Sequence, residues 1–275
     1  MTKVIRVGVV GAAGRMGAEV CRAVDAAEDL DLVAAIDPSA SGQRLSEVVG
    51  LGDSGVEIAG EIDALARCGT EVAVDFTVAE AARANLEWCA RHGVHAVCGT
   101  TGLGADDLSE LEQLLVRHGR ANAVLAANFA LSAVLLMHLA ALVAPYLDGV
   151  EIIELHHEHK IDAPSGTAIE TARRVAAARA GAGVGPFVAD PTRVEHLEGA
   201  RGAVGAGDIR IHAVRLPGLV AHQQVIFGAL GQSLTLRQDS YDRRCFMPGV
   251  LLAIRRVPAM PGLTVGLGRL LGLEA

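Results

Sequence analysis

The sequence predicts an α/β protein: a Rossmann-like, doubly wound parallel sheet joined to a second α+β domain with a mixed or antiparallel sheet. In the first half of the 275-residue chain, short and continuously apolar runs alternate with helical patterns. This is typical of parallel strands covered by helices on both faces. The second half carries three alternating runs separated by turn signals. We expect residues 1–129 and 241–275 to form one domain and residues 130–240 the other.

Apolar runs and helical spacing define the elements of the first half. We expect strands at 4–10, 30–36, 72–76, 94–97 and 123–125, and helices at 14–27, 79–92 and 105–119. In the second half we expect helices at 131–146, 166–180 and 248–256, and strands at 150–156, 208–216, 219–228 and 233–238. Pro217-Gly218 and Leu230-Gly231 separate the last three strands and indicate hairpins.

Charge and composition narrow the partners and the compartment. A net charge of -8 argues against nucleic acid or an anionic membrane as a partner, whereas a small anionic substrate needs only a local positive pocket. The N-terminus lacks a signal-peptide core, and the longest apolar run, 130–147, is interrupted by polar residues and predicts a buried helix. Five cysteines without C-x-x-C spacing indicate reduced thiols in a cytoplasmic protein.

A glycine-rich loop joins the first predicted strand to the first helix. Glycines at 11, 14 and 17 form a G-x-x-G-x-x-G variant of the dinucleotide-binding fingerprint. Gly11 permits a tight turn, Gly14 lets the backbone approach a pyrophosphate, and Gly17 allows the helix to pack closely on the strand. A plain turn is the alternative for the loop alone. Its place between a strand and a helix favours a nicotinamide dinucleotide site.

Asp37 follows the second strand and can accept hydrogen bonds from the adenosine ribose. A carboxylate here favours NADH because it repels the 2′-phosphate of NADPH. Arg15 offsets that repulsion, so NADH and NADPH both remain candidate cofactors. The structural alternative for Asp37 is a turn residue before Pro38.

Polar and glycine residues also follow the later strands of the first half. Asp75-Phe76-Thr77, Cys98–Gly102 and Ala126–Phe129 lie at carboxyl ends of predicted parallel strands, where open α/β sheets bind ligands. Threonine hydroxyls and glycine amides suit contacts with ribose or carboxamide. A structural turn remains the alternative for each of the three segments.

The segment Glu154–Ala168 concentrates groups that exchange protons. His156, His157, His159 and Lys160 lie within five positions. We interpret Lys160 as the general acid that donates a proton, and His156 as a second acid–base or a group that shapes the local field.

A helix start follows, with Ser165 as its cap. Backbone donors there, together with the helix dipole, attract a carboxylate, and Ser165, Gly166 and Thr167 offer donors to a substrate. Asp162 is expected to cap the turn or to hold Lys160. Zinc held by His156 and His159 is the rival interpretation, but no further ligand spacing supports it, so no metal ligand is assigned.

Residues 154–168 resemble the signature of the 4-hydroxy-tetrahydrodipicolinate reductase (dihydrodipicolinate reductase) family of lysine biosynthesis. Gly11–Gly17, Asp75-Phe76-Thr77, Gly99–Gly102 and Ala127-Asn128-Phe129 resemble that family's cofactor-side motifs in the same order. The tail, with residues 237–240 and 248–250, is similar to actinobacterial members. The resemblance covers essentially the whole chain, and the His-His-x-His-Lys-x-Asp-Ala-Pro-Ser-Gly-Thr motif is highly specific.

The resemblance implies a bacterial cytoplasmic enzyme, normally a homotetramer whose subunits pair through the antiparallel strands of the second domain. It implies hydride transfer from NADH or NADPH to 4-hydroxy-tetrahydrodipicolinate with loss of water, which gives tetrahydrodipicolinate in the diaminopimelate pathway to lysine. His156 matches the family's proton donor/acceptor and Lys160 its proton donor. The matching dicarboxylate-binding positions are His157, Gly166 and Thr167. The matching cofactor positions are Gly11, Ala12, Ala13, Gly14, Arg15, Met16, Asp37, Gly99, Thr100, Thr101, Ala126, Ala127, Asn128 and Phe129.

One departure from the family concerns the cofactor. Some members carry a basic residue directly after the acid of the second strand, where this chain has Pro38, and that residue helps to hold a 2′-phosphate. Two other functions remain open at this point. One is a neighbouring amino-acid dehydrogenase, for instance one acting on a diamino acid. The other is a non-catalytic NAD-binding regulator, against which the intact Lys160 and His156 argue.

Overall fold

The computed structural model describes residues 4–52 and 54–273, and the chain divides into two compact units, Met1–Phe129 with Phe246–Ala275 and Ala130–Cys245. Residues 1–3, 53, 274 and 275 of the predicted first domain lie outside the described residues. The first unit resumes at Phe246, a few residues after the predicted boundary at 241, because the last strand of the second sheet continues to Ser240 and a short loop follows it.

The strands and helices alternate along the first half and segregate in the second. The strands are β1 (Ile5–Val10), β2 (Leu30–Ile36), β3 (Ile58–Ala59), β4 (Val72–Asp75), β5 (His95–Cys98), β6 (Ala123–Leu125), β7 (Gly149–His156), β8 (Ala203–Val204), β9 (Arg210–Arg215), β10 (Ala221–Ala229), β11 (Gln232–Ser240) and β12 (Leu263–Val265). The helices are α1 (Arg15–Asp25), α2 (Leu45–Val49), α3 (Ala64–Arg67), α4 (Ala79–His92), α5 (Ala105–His118), α6 (Leu131–Val143), α7 (Gly166–Gly181) and α8 (Met247–Arg256).

The first unit is built on a seven-stranded parallel sheet in the order β12-β6-β5-β4-β1-β2-β3. Side chains on both faces of its central strands are buried, as Val72, Ala73 and Val74 of β4 are. Because neighbouring residues of a strand point to opposite faces, helices must cover both. The Rossmann-like class that the sequence predicts is therefore confirmed.

The second unit holds a five-stranded mixed sheet in the order β11-β10-β7-β9-β8. Strand β7 lies at its centre, parallel to β9 and antiparallel to β10. Val150 and Ile152 of β7 and Val225 and Phe227 of β10 form a buried cluster with Ala140 of α6. Every second residue of these strands is therefore buried, and these residues form the inner face of the sheet, which packs on the helices.

Of the two hairpins that the sequence predicts, the structure contains one. The turn Leu230-Gly231 joins the antiparallel pair β10 and β11, as predicted. The hairpin predicted at Pro217-Gly218 is wrong, because β9 and β10 lie on opposite sides of β7 and do not pair with each other. A turn signal records a reversal of the chain, and it does not record which strand separates the two arms.

Short elements escaped the sequence pattern. Strands β3, β8 and β12 have only two or three residues and helices α2 and α3 four or five, too few to display a period. Within residues 4–52 and 54–273, no helix combines the length and apolar character that crossing a bilayer requires.

Candidate active site

The carboxyl ends of the parallel strands bring the predicted cofactor loops to one edge of the first sheet. Each loop begins with a residue whose backbone N–H donates to the end of a neighbouring strand. These hydrogen bonds run from Gly11 N to Ile36 O (2.8 Å), from Phe76 N to Val10 O (3.3 Å), from Gly99 N to Asp75 O (2.9 Å) and from Ala126 N to Cys98 O (3.0 Å). The loops after β1, β4, β5 and β6 are therefore held side by side.

The glycine loop has the geometry that the fingerprint requires. Gly11 has a φ of 78°, which a residue with a side chain rarely adopts. A Cβ at Gly17 would lie 2.0 Å from Gly11 O, so helix α1 approaches the loop more closely than any other residue permits. Gly14 precedes α1, and no side chain caps that helix. The N–H groups of its first turn can thus receive a pyrophosphate.

A groove of about 460 Å³ lies between this loop and Asp37. Asp37 Oδ2 accepts from Ala13 N at 3.0 Å, and Oδ1 accepts from Ser39 N at 3.0 Å and Ser39 Oγ at 2.6 Å. These bonds fix the carboxylate at the groove. The lining is Val10, Gly11, Gly14, Ile36, Asp37, Pro38, Gly60, Ile62, Phe76, Thr77, Val78, Ala81 and Asn85, with no lysine or arginine in this set. The residues fit the adenosine half of a nicotinamide dinucleotide.

Asp75 ties the loops after β4 and β5 together. Its buried carboxylate accepts from Thr77 N at 2.8 Å, from Thr77 Oγ1 at 2.7 Å and from Asn85 Nδ2 at 2.7 Å. Thr100 Oγ1 lies 3.1 Å from Thr77 O and 3.3 Å from Asp75 Oδ1. The Thr100 hydroxyl therefore joins the two loops. The sequence predicts a ligand contact for Thr100 and gives no sign of this structural role.

The predicted cofactor residues differ in how accessible they are. Gly14, Arg15, Thr101 and Ala127 are exposed, and Gly11, Ala13, Met16, Gly99, Thr100 and Asn128 are half-buried. Ala12, Ala126 and Phe129 are buried. Ala12 N also donates to Ile36 O at 3.1 Å. The buried residues shape the loops, and the accessible ones are those that can touch a ligand.

In the second unit, the central strand β7 carries a carboxylate on its inner face. Val150, Ile152, Glu154 and His156 point to the same side because successive residues alternate. Glu154 has no exposed surface. Arg215 ends β9 and lies directly opposite His156 in the parallel pairing.

Four donors surround the Glu154 carboxylate. Arg215 Nη1 donates to Oε2 and Nη2 to Oε1, both at 2.8 Å. Ser165 N donates to Oε1 at 3.0 Å, and His156 Nδ1 lies 2.5 Å from Oε2. Burial acts to raise the pKa of Glu154, but the hydrogen bonds from Arg215 and His156 outweigh it, and its pKa lies below the ordinary value. Glu154 is thus a buried, ionised and fully paired group.

His156 stands over this carboxylate with its side chain 16% exposed. Burial lowers its pKa, and the positive charges of Lys160 and Arg215 act in the same direction, while Glu154 opposes them; the net pKa lies below the ordinary histidine value. The imidazole is therefore neutral at pH 7 and ready to accept or relay a proton.

The turn His156–Lys160, here called the His/Lys turn, places its other members differently. Lys160 Nζ donates to both oxygens of Asp162, at 2.7 and 2.9 Å. His157 Nδ1 is buried and has no hydrogen-bond partner within the described part of the chain. Because buried polar atoms are normally hydrogen-bonded, His157 Nδ1 is available to pair with a ligand. The His159 side chain is 84% exposed, so it does not join the cluster.

The start of helix α7 completes the site. Ser165 is the cap, and its hydroxyl accepts from Ala168 N at 3.2 Å, as the sequence predicts. The Ser165 N–H is committed to Glu154, so that group is not a donor for a substrate. Gly166 is exposed, with nothing within 4 Å of where a Cβ would stand. Gly166 and Thr167 are the first two residues of the helix, and Gly166 faces open space.

The zinc alternative finds no cluster to support it. Across residues 4–52 and 54–273, no group of three or more His, Cys, Asp or Glu side chains is arranged to hold a metal ion. His156 Nδ1 is directed at Glu154, and His159 is turned to solvent.

Glu154 and Arg215 are the site residues that the sequence analysis did not single out. One signal was available: Glu154 occupies a position of the inward, apolar register of β7, where an unpaired charge would be costly. Arg215 offered no such signal, because only the pairing of β7 with β9 brings residues 61 positions apart into contact.

Comparison with known proteins gives a consistent result over the whole chain. The family model described as "Dihydrodipicolinate reductase, N-terminus" matches residues 5–129, and that described as "Dihydrodipicolinate reductase, C-terminus" matches residues 132–271. The 4-hydroxy-tetrahydrodipicolinate reductase of Corynebacterium aurimucosum is 48% identical over 270 residues, which is 98% of this chain and 99% of the relative. The Streptomyces avermitilis reductase is 47% identical, with the same coverage.

Among solved structures, the dipicolinate-bound dihydrodipicolinate reductase from Paenisporosarcina sp. TG-14 matches with a TM-score of 0.85 and 39% identity. The match covers 97% of this chain and 99% of that one. An amine dehydrogenase from Mycobacterium smegmatis, with a TM-score of 0.61 and 18% identity, shares the fold alone.

The close approach at Gly17 predicts that Gly17→Ala weakens nucleotide binding. The new methyl group would stand 2.0 Å from Gly11 O, so the loop must move away from the start of α1. We expect the dissociation constant for NADH, measured by calorimetry, to rise at least about 10-fold, which corresponds to about 1.4 kcal/mol. Gly185→Ala is the control, because nothing lies within 4 Å of its Cβ position. Equal affinity in wild type and Gly17→Ala would contradict the proposed loop contact.

Proposed function

This chain belongs to the dihydrodipicolinate reductase family, and from that premise we propose that the His/Lys turn, the start of α7 and the carboxyl edge of the first sheet carry out the family's reaction. The protein is an oxidoreductase that uses NADH or NADPH to reduce 4-hydroxy-tetrahydrodipicolinate to tetrahydrodipicolinate, a step of diaminopimelate and lysine biosynthesis. One hydride and one proton enter, and one water leaves. The enzyme must therefore hold a dicarboxylate and move protons beside a nicotinamide.

The main support for the proposal is that the proton-exchanging groups of the His/Lys turn are linked to the anion-binding start of α7. Glu154 bonds both to His156 and to Ser165 N at the cap of α7. This shared carboxylate keeps the two functional groups at a fixed separation. A site of this kind suits a small acidic molecule that is protonated while its charge is held.

For substrate binding, we assign the carboxylates to His157, Gly166 and Thr167. The first-turn amides of α7 and the dipole of a 16-residue helix favour negative charge. The buried Nδ1 of His157 gains a partner when a carboxylate binds. The dipicolinate in the Paenisporosarcina relative is a dicarboxylate of the kind that this arrangement would take.

For proton transfer, we assign Lys160 as the donor and His156 as the group that accepts or donates a proton beside it. Lys160 carries an ammonium whose charge Asp162 balances through two hydrogen bonds. His156 is neutral at pH 7 because burial lowers its pKa. An ammonium and a neutral imidazole in one turn supply an acid and a base together.

For the cofactor, we assign the glycine loop and α1 to the pyrophosphate and Asp37 to the adenosine ribose. When bound, the reduced nicotinamide supplies the hydride. Gly99, Thr100 and Thr101, and the segment Ala126–Phe129, lie at the same edge of the sheet and are assigned to the nicotinamide half. These residues belong to the first unit and the His/Lys turn to the second.

We propose that the working enzyme is a cytoplasmic homotetramer. All five cysteines are unpaired, which suits a reducing compartment. Strand β11, nine residues long, ends its sheet, and such an edge offers backbone groups to a second copy. Light scattering is expected to give four times the chain mass of 28.4 kDa, and a monomer at micromolar concentration would refute this assembly.

Replacement of the turn residues should separate catalytic from bystander side chains. We expect Lys160→Met and His156→Gln each to lower kcat about 10²- to 10⁴-fold, the range for a positioned acid–base group. The matched control is His159→Gln, because that neighbouring histidine is 84% exposed. Steady-state assays with freshly generated substrate and NADH provide the measurement. A wild-type kcat in Lys160→Met would contradict the role of Lys160 as the proton donor.

The groove at Asp37 predicts tighter binding of NADH than of NADPH. A fixed carboxylate meets the 2′-phosphate, and no lysine or arginine is among the groove's lining residues. Calorimetry should give a larger dissociation constant for NADPH than for NADH. In Asp37→Asn the two dissociation constants should lie closer together. Asp31→Asn, at an exposed position on β2, the strand that Asp37 follows, is the control. Equal affinities in the wild type would show that Asp37 does not discriminate.

A further inference from the structure

We propose that Glu154 and Arg215 are positioning residues for the reduction: Glu154 fixes the His156 ring as the Nδ1–H tautomer with Nε2 directed to the substrate, and Arg215 locks Glu154 in place. This inference rests on the role proposed above for His156. Neither residue is needed to bind the cofactor or the substrate in the assignments made so far.

The tautomer follows from counting donors. A carboxylate has about four lone-pair directions, and Glu154 faces four nitrogens, two from Arg215, one from Ser165 and one from His156. Arginine and backbone nitrogens can only donate. Because Glu154 is ionised and can only accept, the proton of the fourth contact must lie on His156 Nδ1. Nε2 remains as the nitrogen able to exchange a proton.

The geometry also leaves Nε2 available. The His156 side chain is 16% exposed, and within residues 4–52 and 54–273 only Nδ1 of its ring has a hydrogen-bond partner. A ring held at one nitrogen by a buried carboxylate cannot flip without breaking that bond. The orientation of Nε2 is thereby set before a substrate arrives, which saves the cost of ordering it in the transition state.

Glu154 also sets the charge balance around His156. Burial, Lys160 and Arg215 all lower the pKa of the imidazole, and Glu154 opposes them through its hydrogen bond and its charge. Without that negative charge the imidazolium would be less stable, and its pKa would fall further. Any limb of the pH–rate profile that belongs to His156 must therefore move to lower pH when Glu154 is neutralised.

Arg215 connects the same carboxylate to the backbone that carries the catalytic lysine. Besides Glu154, its guanidinium donates to Asp162 O at 2.6 Å and to Lys160 O at 3.3 Å. The bend of the His/Lys turn and the ring of His156 are thus held by one ion pair. A lysine at this position could not make the planar, forked set of bonds.

The chain contains a matched cluster that serves as a control. Glu151, on the opposite face of β7, also accepts from an arginine and a histidine, Arg201 and His212. Burial acts to raise its pKa, but those two partners lower it on balance, as at Glu154. Glu151 is more exposed than Glu154, with 36% of its side chain accessible against 0%, so Glu151→Gln controls for the loss of a paired carboxylate, and the pH–rate profile identifies the positioning role at Glu154.

The first test uses the wild-type protein and needs no variant to fold. Nitrogen NMR of histidine-labelled protein, with the His156 signal identified by its loss in His156→Gln, reports which ring nitrogen carries the proton. We expect the Nδ1–H form at neutral pH. The Nε2–H form would overturn the proposal even if His156 proves catalytic, so this result is independent of the proposed function.

The second test compares Glu154→Gln with Glu151→Gln. In Glu154→Gln the amide NH₂ meets a donor of Arg215 or His156, so we expect kcat to fall about 10- to 100-fold, part of the contribution of a positioned acid–base group. KM for the dicarboxylate should change less than about threefold, and the His156 limb should move to lower pH. Glu151→Gln should match the wild type in kcat, in KM and in the position of the His156 limb. An unshifted limb with wild-type kcat in Glu154→Gln would refute the proposal.

Glu154→Gln leaves Arg215 without its carboxylate partner, which costs stability. The double variant Glu154→Gln/Arg215→Met removes both charges, and thermal melting checks that it folds. A folded double variant should keep an acidic shift of the limb that is smaller than in Glu154→Gln, because the loss of Arg215 removes one of the charges that lower the His156 pKa. A limb moved to higher pH than in the wild type would also refute the proposal. If His156→Gln keeps full kcat, the catalytic role of His156 fails instead, whatever the NMR tautomer. The two failures are thus distinguishable.

Discussion

The ion pair between Glu154 and Arg215 is the contact on which the second unit's site depends. Moving such charges out of water costs several kcal/mol for each ion, and a buried pair often contributes little more stability than apolar residues of the same volume. Here Glu154 is in line with Val150 and Ile152 on the inner face of β7, and Arg215, half-buried, reaches it from the end of β9. The retention of the pair in an otherwise apolar register is explained by what it orders: an imidazole, a helix start and the backbone of a lysine.

The site in the first unit is ordered by different means. Its cofactor loops are held by backbone hydrogen bonds across the carboxyl edge of a parallel sheet, and the absence of a Cβ at Gly11 and Gly17 creates the close approach of loop and helix. Charged side chains enter at Asp37 and Asp75, and both carboxylates bind neighbouring loop residues. The first unit thus offers a ligand mainly backbone groups, whereas the second unit offers side chains and a helix start.

Much of the fold was readable from local patterns. Strands β2 and β6 and helix α4 have the predicted bounds, because each is long enough or apolar enough to carry its own signal. The pairing of β9 was not readable, since a Pro-Gly turn predicted a hairpin where β7 intervenes. Strand β12 adds to the first sheet from the far end of the chain, and its three residues, with Thr264 in the middle, give neither a period nor the continuous apolar run that marks β6.

The sequence by itself determined the class of the fold, the dinucleotide loop, and the identity of the His/Lys turn, because each of these is written in residues close together along the chain. Tertiary structure alone decided how that turn is held. The partner of Glu154 arrives from a strand 61 positions away, and the Ser165 amide is diverted from a substrate to that carboxylate. Long-range strand pairing sets both contacts, and no local pattern encodes which strands become neighbours.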